Sequence, residues 1–378
     1  MNKKLIFSIS SILLFFFFLE LIGHTAYFLK RDRTFWSYHI KKIEGYIHYT
    51  PHGLNRWKPN VVAHMPGYPD FLKTDRHGFI HNGIDKEITN ETYNIFITGG
   101  STVEGRGSSS NNNTISANLE EILNNKINKN NIRVINAGFS GDTTYQELTR
   151  ILGHLIPNFK VDMVISISGR NDGHNPMYRG KKFKINVGNE AFDKFEINFN
   201  NLKTSCVICA LDDKLERYSI TYYSINYYLR KFLTAKEKKA DRYNLSLNEI
   251  DFKKNSLNTF SNLSTIKHRL ELQNIEFYSF LQPTLIKNLK KVQSDYEKKN
   301  VDKWIKETNY KDYFQGIDLF YNELSKYTNE EWYFDISKLF LDNNQHLYFD
   351  SVHYNDDSNK LIAEKIAEII LIKIKNTN

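Results

Sequence analysis

Cysteine is scarce in this chain, with two in 378 residues. The pair, Cys206 and Cys209 in SCVICALDD, forms a lone C-x-x-C without the second pair that a zinc ribbon needs. The apolar neighbours favour two small buried hydrophobes or at most one local disulfide. No cysteine lies near the N-terminal apolar run, so lipoprotein processing is excluded. The chain also lacks an internal repeat, a metal-ligating cluster and a concentrated basic patch. Its formal net charge of +8 is spread along an Asn- and Ile-rich background, and the densest runs, KRDR at 30–33 and KEKK at 236–239, contain acids. Nucleic acid is therefore not expected as a partner, and the lysines read as solvated surface. Disorder is excluded by a hydrophobic fraction of 40% and 14% aromatics.

One long apolar run is present. Lys3 and Lys4 precede residues 5–29, LIFSISSILLFFFFLELIGHTAYFL, and Lys30, Arg31 and Arg33 follow. A helix rising about 1.5 Å per residue over that length crosses a hydrocarbon core of about 30 Å. Residues 5–29 thus read as a signal anchor in a lipid bilayer. A cleaved signal peptide fits less well, because His24 occupies the position before Ala26 where a small residue is needed. Glu20 and His24 lie one turn apart near the end of the run, where an interface can solvate them. Basic residues flank both ends, and the expected location is membrane-anchored with the bulk of the chain outside the cytoplasm, periplasmic or at the cell surface.

Residues 34–90 show no period and read as a linker and an extension packed on the main domain. From Tyr93 the pattern is regular. YNIFIT (93–98), IRVINAG (132–138), MVISISG (163–169) and IEFYSFLQP (275–283) read as strands. TISANLEEILNNKI (114–127), TTYQELTRILGHLI (143–156) and NKLIAEKIAEIILIKI (359–374) place apolar residues at helical spacing. Strand and helix alternating implies right-handed crossovers and a parallel sheet. The pattern is interrupted at 174–274, where ERYSITYYSINYYLRKFL (216–233) spaces Tyr218, Tyr222, Ile225, Leu229 and Phe232 as an amphipathic helix. Such a face suits a sugar or a membrane interface, and its spacing is also that of core.

GSTVEGRG (100–107) has the G-x4-G spacing of a phosphate-binding loop, but Arg106 and Gly107 stand where Lys and then Ser or Thr are required. The dinucleotide fingerprint lacks its third glycine. Val103 replaces the glycine two residues after the serine of an α/β-hydrolase elbow. No cofactor is expected. What remains is Ser101 as a nucleophile at a strand end. YFDSVHYND supplies Asp350 and His353 before the last helix, a carboxylate to orient an imidazole and an imidazole to serve as base. Gly141 in NAGFSGDTT and Asn171 in GRND follow two further strands and offer a backbone N–H and an amide as oxyanion donors. Sites in open parallel sheets form beyond the carboxyl ends of strands, where these residues converge. Asp142 and Asp172 read as helix caps, and His174 and His346 as surface or satisfied histidines.

These blocks resemble the SGNH/GDSL hydrolase superfamily. Gly99, Gly100 and Ser101 match its first block, with Gly100 in place of the usual acid. Gly141 matches the second, Gly169, Arg170, Asn171 and Asp172 the third, and Asp350 with His353 the last. The resemblance covers residues 93–172 and 275–374. It implies an α/β fold, a flavodoxin-like three-layer α/β/α sandwich with a parallel sheet, here behind an N-terminal transmembrane helix. The implied organisation is an anchor at 1–33, a linker and extension at 34–90, and a hydrolase domain at 91–378 with a helical insertion at 174–274. It also implies a catalytic triad of Ser101, His353 and Asp350, and an oxyanion hole of the Ser101 and Gly141 N–H groups with the Asn171 amide. The expected activity is that of a serine esterase removing O-acetyl groups from a cell-envelope or secreted glycan, so the partners are an acylated carbohydrate or other ester and the bilayer. An O-acyltransferase using the same acyl-enzyme and a noncatalytic glycan-binding scaffold are the alternatives.

Overall fold

A computed structural model of the chain describes residues 3–31, 47–49, 55–63, 72–82, 87–127, 131–179, 215, 219–237, 249–285, 294–307 and 310–377. Cys206 and Cys209 lie outside the described residues. The chain divides into two units: Met1–Ile47 with Asp193–Arg242, and His48–Phe192 with Tyr243–Asn378.

The larger unit is built on a five-stranded parallel sheet. Its strands are β1 (Tyr93–Gly99), β2 (Ile132–Asn136), β3 (Met163–Ser168), β4 (Glu276–Leu281) and β5 (Tyr333–Asp335), in the spatial order β2-β1-β3-β4-β5. That is the flavodoxin-like order, which changes direction at β1 and opens a crevice beyond the strand ends between β1 and β3. β2 and β3 are buried on both faces along their whole length, as expected of strands covered by helices on either side. Ile95, Ile97, Val164, Ile165 and Phe280 are fully enclosed in this core.

The first unit begins with α1 (Lys3–Arg31). In the larger unit, α2 (Ser101–Glu104) is a single turn directly after β1. On one face of the sheet α3 (Ile115–Ile127) packs against α10 (Asp356–Thr377) and against β2. The other face carries α4 (Thr144–Arg150), which continues through a π-helical turn at Ile151–Leu155, together with α5 (Arg170–Arg179), α7 (Glu249–Glu271) and α9 (Tyr310–Leu324). The result is three layers. α7 belongs to the sandwich and packs on β4, although it falls within the stretch where the sequence pattern is interrupted. α8 (Asp295–Glu307) completes the larger unit, and its Glu297 carboxylate accepts the Leu347 and Tyr348 N–H groups at 3.0 and 3.1 Å.

The residues before β1 join the larger unit at its β2 edge. Val62–Ala63 pairs with Leu72–Lys73, and the Ile80 N–H donates to the Asn136 carbonyl at 3.2 Å. Trp57 is buried and packs against Phe139 with ring centroids 5.7 Å apart at a tilt of 46°.

In the smaller unit, α1 packs against α6 (Ile220–Glu237). Its Ser10–Leu29 segment, with mean hydropathy 1.9, is long and apolar enough to cross a membrane. Ile225 and Leu229, spaced as core, stand half exposed on α6.

Candidate active site

β1 ends at Gly99, and the chain turns through Gly100 into α2, so Ser101 holds the first helical position. A first-turn N–H has no acceptor within its own helix and points out of the turn. Ser101 Oγ lies 2.7 Å from His353 Nε2. On the far side of the ring, His353 Nδ1 lies 2.7 Å from Asp350 Oδ2. The other carboxylate oxygen, Oδ1, accepts the Val352 and His353 N–H groups at 2.8 Å each. Burial works against the charged form of Asp350. The imidazole contact and the two N–H donors outweigh it and hold the carboxyl down to about 2. The segment is pinned beyond the pair as well, since the Phe349 N–H donates to the His353 carbonyl at 2.8 Å.

Gly141 lies on the loop after β2, and Asn171, at the start of α5, reaches that loop at the neighbouring Asp142. Gly141 has φ +87°, a backbone state that side chains resist, and the place of its missing Cβ is open. Asn171 donates one amide N–H to the Asp142 carbonyl at 2.8 Å. An amide nitrogen has a second proton, which remains for another acceptor. A Cβ on Gly100 would come within 2.4 Å of that same Asn171 nitrogen. Glycine before the serine thus lets the amide close against that residue.

This loop and the strand ends beneath it are held by Glu104 and Glu147, which the sequence pattern did not single out, and by Asp142, which was expected as a helix cap; the cap of α4 is Thr143 instead. Glu104, at the end of α2, accepts the Trp57 indole N–H at 2.9 Å and the Ser140 N–H at 3.2 Å through Oε1, while Oε2 takes the Ser140 hydroxyl. Asp142 pairs with Arg150 at 2.5 Å, both buried. Burial pushes the Asp142 carboxyl up to about 7 against the opposing pull of that guanidinium. Beneath the site, Glu147 from α4 accepts hydroxyls from Thr98 and Ser166 at 2.7 Å each, and from Ser168. Its carboxyl is pushed up by burial despite those hydroxyls.

Asp172 does cap a helix, but a neighbouring one. Its Oδ1 accepts the Thr144 N–H at 3.1 Å and the Thr144 hydroxyl at 2.6 Å, at the start of α4. His346 places Nε2 2.9 Å from the Tyr348 carbonyl, and its ring packs at 4.5 Å on Tyr296. The His174 imidazole is driven well toward its neutral form by burial and by the nearby Arg170 charge. Among the described residues no group of three or more His, Cys, Asp or Glu could hold a metal ion.

The cluster therefore links a hydroxyl, an imidazole and a carboxylate by hydrogen bonds, with the Asn171 amide close to the residue before the serine. Such a set can activate an oxygen nucleophile and stabilise an oxyanion. No family model matches the chain, and no curated protein matches it. Solved structures similar to it include the acetyl xylan esterase AlAXEase, at 15% identity over 73% of this chain and 99% of that one, with a TM-score of 0.39. Another is the lipase/acylhydrolase from Enterococcus faecalis, at 13% identity over 74% and 95% of the two chains and a TM-score of 0.39. A third is a putative lipolytic protein of the G-D-S-L family from Desulfitobacterium hafniense DCB-2, at 12% identity over 74% and 99%, with a TM-score of 0.36. Identities and TM-scores this low carry no chemistry over to the present chain.

Proposed function

We propose that the protein is a membrane-anchored serine esterase of the SGNH type that removes O-acyl groups, acetyl foremost, from a cell-envelope or secreted glycan. The observation that carries this reading is the relay from Ser101 Oγ through His353 to Asp350, with both hydrogen bonds at 2.7 Å. Ser101 attacks the ester carbonyl as His353 Nε2 takes its proton. Asp350, held ionised, keeps the other ring nitrogen as the donor and stabilises the imidazolium. The oxyanion is received by the Ser101 and Gly141 N–H groups and by the second amide proton of Asn171. Collapse breaks the bond to the sugar oxygen, which leaves as the hydroxyl by taking the proton from the His353 imidazolium. Water, activated by the same imidazole, then frees the acyl group.

The substrate class is supported by the setting of the site. Ser140 and Gly141 are exposed at its rim and Ser101 is half-buried, so an acyl ester carried on a bulky chain can reach the serine. The apolar span of α1 would tether that reaction to a membrane surface.

The test is intact-mass analysis of the full chain in detergent after treatment with a fluorophosphonate, beside Ser101→Ala. One adduct on Ser101, absent from the variant, is expected. Ser101→Ala should also lower release of acetate from an acetylated glycan by about 10³-fold or more. An adduct that persists in the variant, or unchanged acetate release, would sink the assignment.

A further inference from the structure

Glu20 lies within the apolar segment Ser10–Leu29 of α1, where a carboxylate is costly unless it is partnered. Its partner is the beginning of α6. Glu20 accepts the Ile220 N–H at 2.7 Å, the Ser219 hydroxyl at 2.9 Å and the Thr221 N–H at 3.2 Å. His24, one turn on, contacts the same carboxylate at 3.2 Å. The anchor thus supplies the negative group that the positive end of an 18-residue helix favours. Gly23 gives a second, independent contact: a Cβ there would stand 2.7 Å from Ile220 Cγ2, so only glycine lets the two helices close this far.

The sequence fixes the depth of that junction. Asp212, Asp213, Lys214, Glu216 and Arg217 immediately precede Ser219, and so many charges require water. The start of α6, and Glu20 with it, therefore belongs at the water boundary of the bilayer. The hydrocarbon-crossing part of α1 is then the apolar stretch before Glu20, with Ile12 near its middle and Lys3 and Lys4 reaching the opposite interface. From there α6 carries Ile225, Tyr228 and Leu229, which are 49, 66 and 50% exposed. Spaced by three and four, they share one face. An aliphatic stripe interleaved with tyrosine, followed in sequence by Arg230, Lys231 and Lys236, suits the junction of acyl chains and anionic headgroups.

We propose that α6 is a membrane-surface helix, fastened to the anchor at Glu20 and Gly23, with Ile225, Tyr228 and Leu229 set into the lipid interface. This rests on reading α1 as a membrane anchor and is independent of the serine chemistry. The lipid is favoured as occupant because the stripe belongs to a helix bonded directly to the membrane span.

The test uses full-length C206S/C209S protein in phosphatidylcholine–phosphatidylglycerol vesicles, carrying a fluorophore at Leu229→Cys or, for reference, at Ile12→Cys. Lipids brominated high on the acyl chain should quench the Leu229→Cys label at least about twofold more than lipids brominated near its end. The Ile12→Cys label should show the opposite preference. A Leu229→Cys label quenched by neither lipid, beside a quenched Ile12→Cys label, overturns the inference while leaving the anchor in place. No quenching at either site overturns both. Adding Gly23→Leu, which drives side-chain atoms into Ile220, should weaken quenching at Leu229→Cys and leave it unchanged at Ile12→Cys. Full quenching at both in that variant refutes fastening to the anchor.

Discussion

Glu104 lies one turn beyond the serine and joins two segments that the chain keeps 83 residues apart, because the same carboxylate receives Trp57 and Ser140. Ser140 precedes the glycine whose N–H is assigned to the oxyanion. Glu104→Ala should therefore leave substrate affinity nearly unchanged and lower kcat about 10- to 100-fold, a fraction of what losing a whole oxyanion donor costs. Glu104→Gln keeps one acceptor for the indole and should recover part of that loss. Equal kcat in all three proteins would show that the loop holds itself. Of the residues in the proposed site, Ser101, Gly141 and Asn171 are legible in the sequence because each follows a strand-like apolar run, and Asp350 and His353 because the pair stands just before the last helical stripe. Glu104 is not, since an acid on a four-residue turn reads as solvent-facing, and its partners come from distant loops.

α7 shows the same contrast at the scale of an element. Strands β1 to β4 and helices α3, α4 and α10 declare themselves by apolar period. α7 instead buries Asn255, Ser256 and Thr259, which in a sequence suggest surface. Two of them address Asp172: Asn255 donates its amide to the Asp172 carbonyl, and the Thr259 hydroxyl lies 3.4 Å from Oδ1. β5 is hidden for another reason, since three residues are too few to establish a period. Burial raises the Asp172 carboxyl from 3.8 to about 7, so between those values the folded protein binds a proton that the unfolded chain does not. Stability should then fall as pH rises from about 4 to 7 and level off above, with Asp350 acting in the opposite sense only below about 4. Asp172→Asn should reduce the slope of melting temperature against pH in that window. An unaltered slope would mean that Asp172 does not titrate there.

At the scale of the whole molecule, the apolar span of α1 and the site in the larger unit lead to an expectation about location. The full chain should stay in the pellet after alkaline carbonate extraction of membranes. Protease added outside intact spheroplasts should digest the larger unit without prior lysis. Digestion only after lysis would place the site on the cytoplasmic side. The relay also has a direction in time. Ser101 and His353 stand 252 residues apart, and the helices that follow them, α3 and α10, pack on each other. At about 5 to 20 residues per second of synthesis, the serine emerges tens of seconds before its base exists. On the proposed chemistry the hydroxyl is an ordinary alcohol through that interval, so the growing polypeptide would not attack esters it meets, and reactivity would begin only once His353 and α10 are in place.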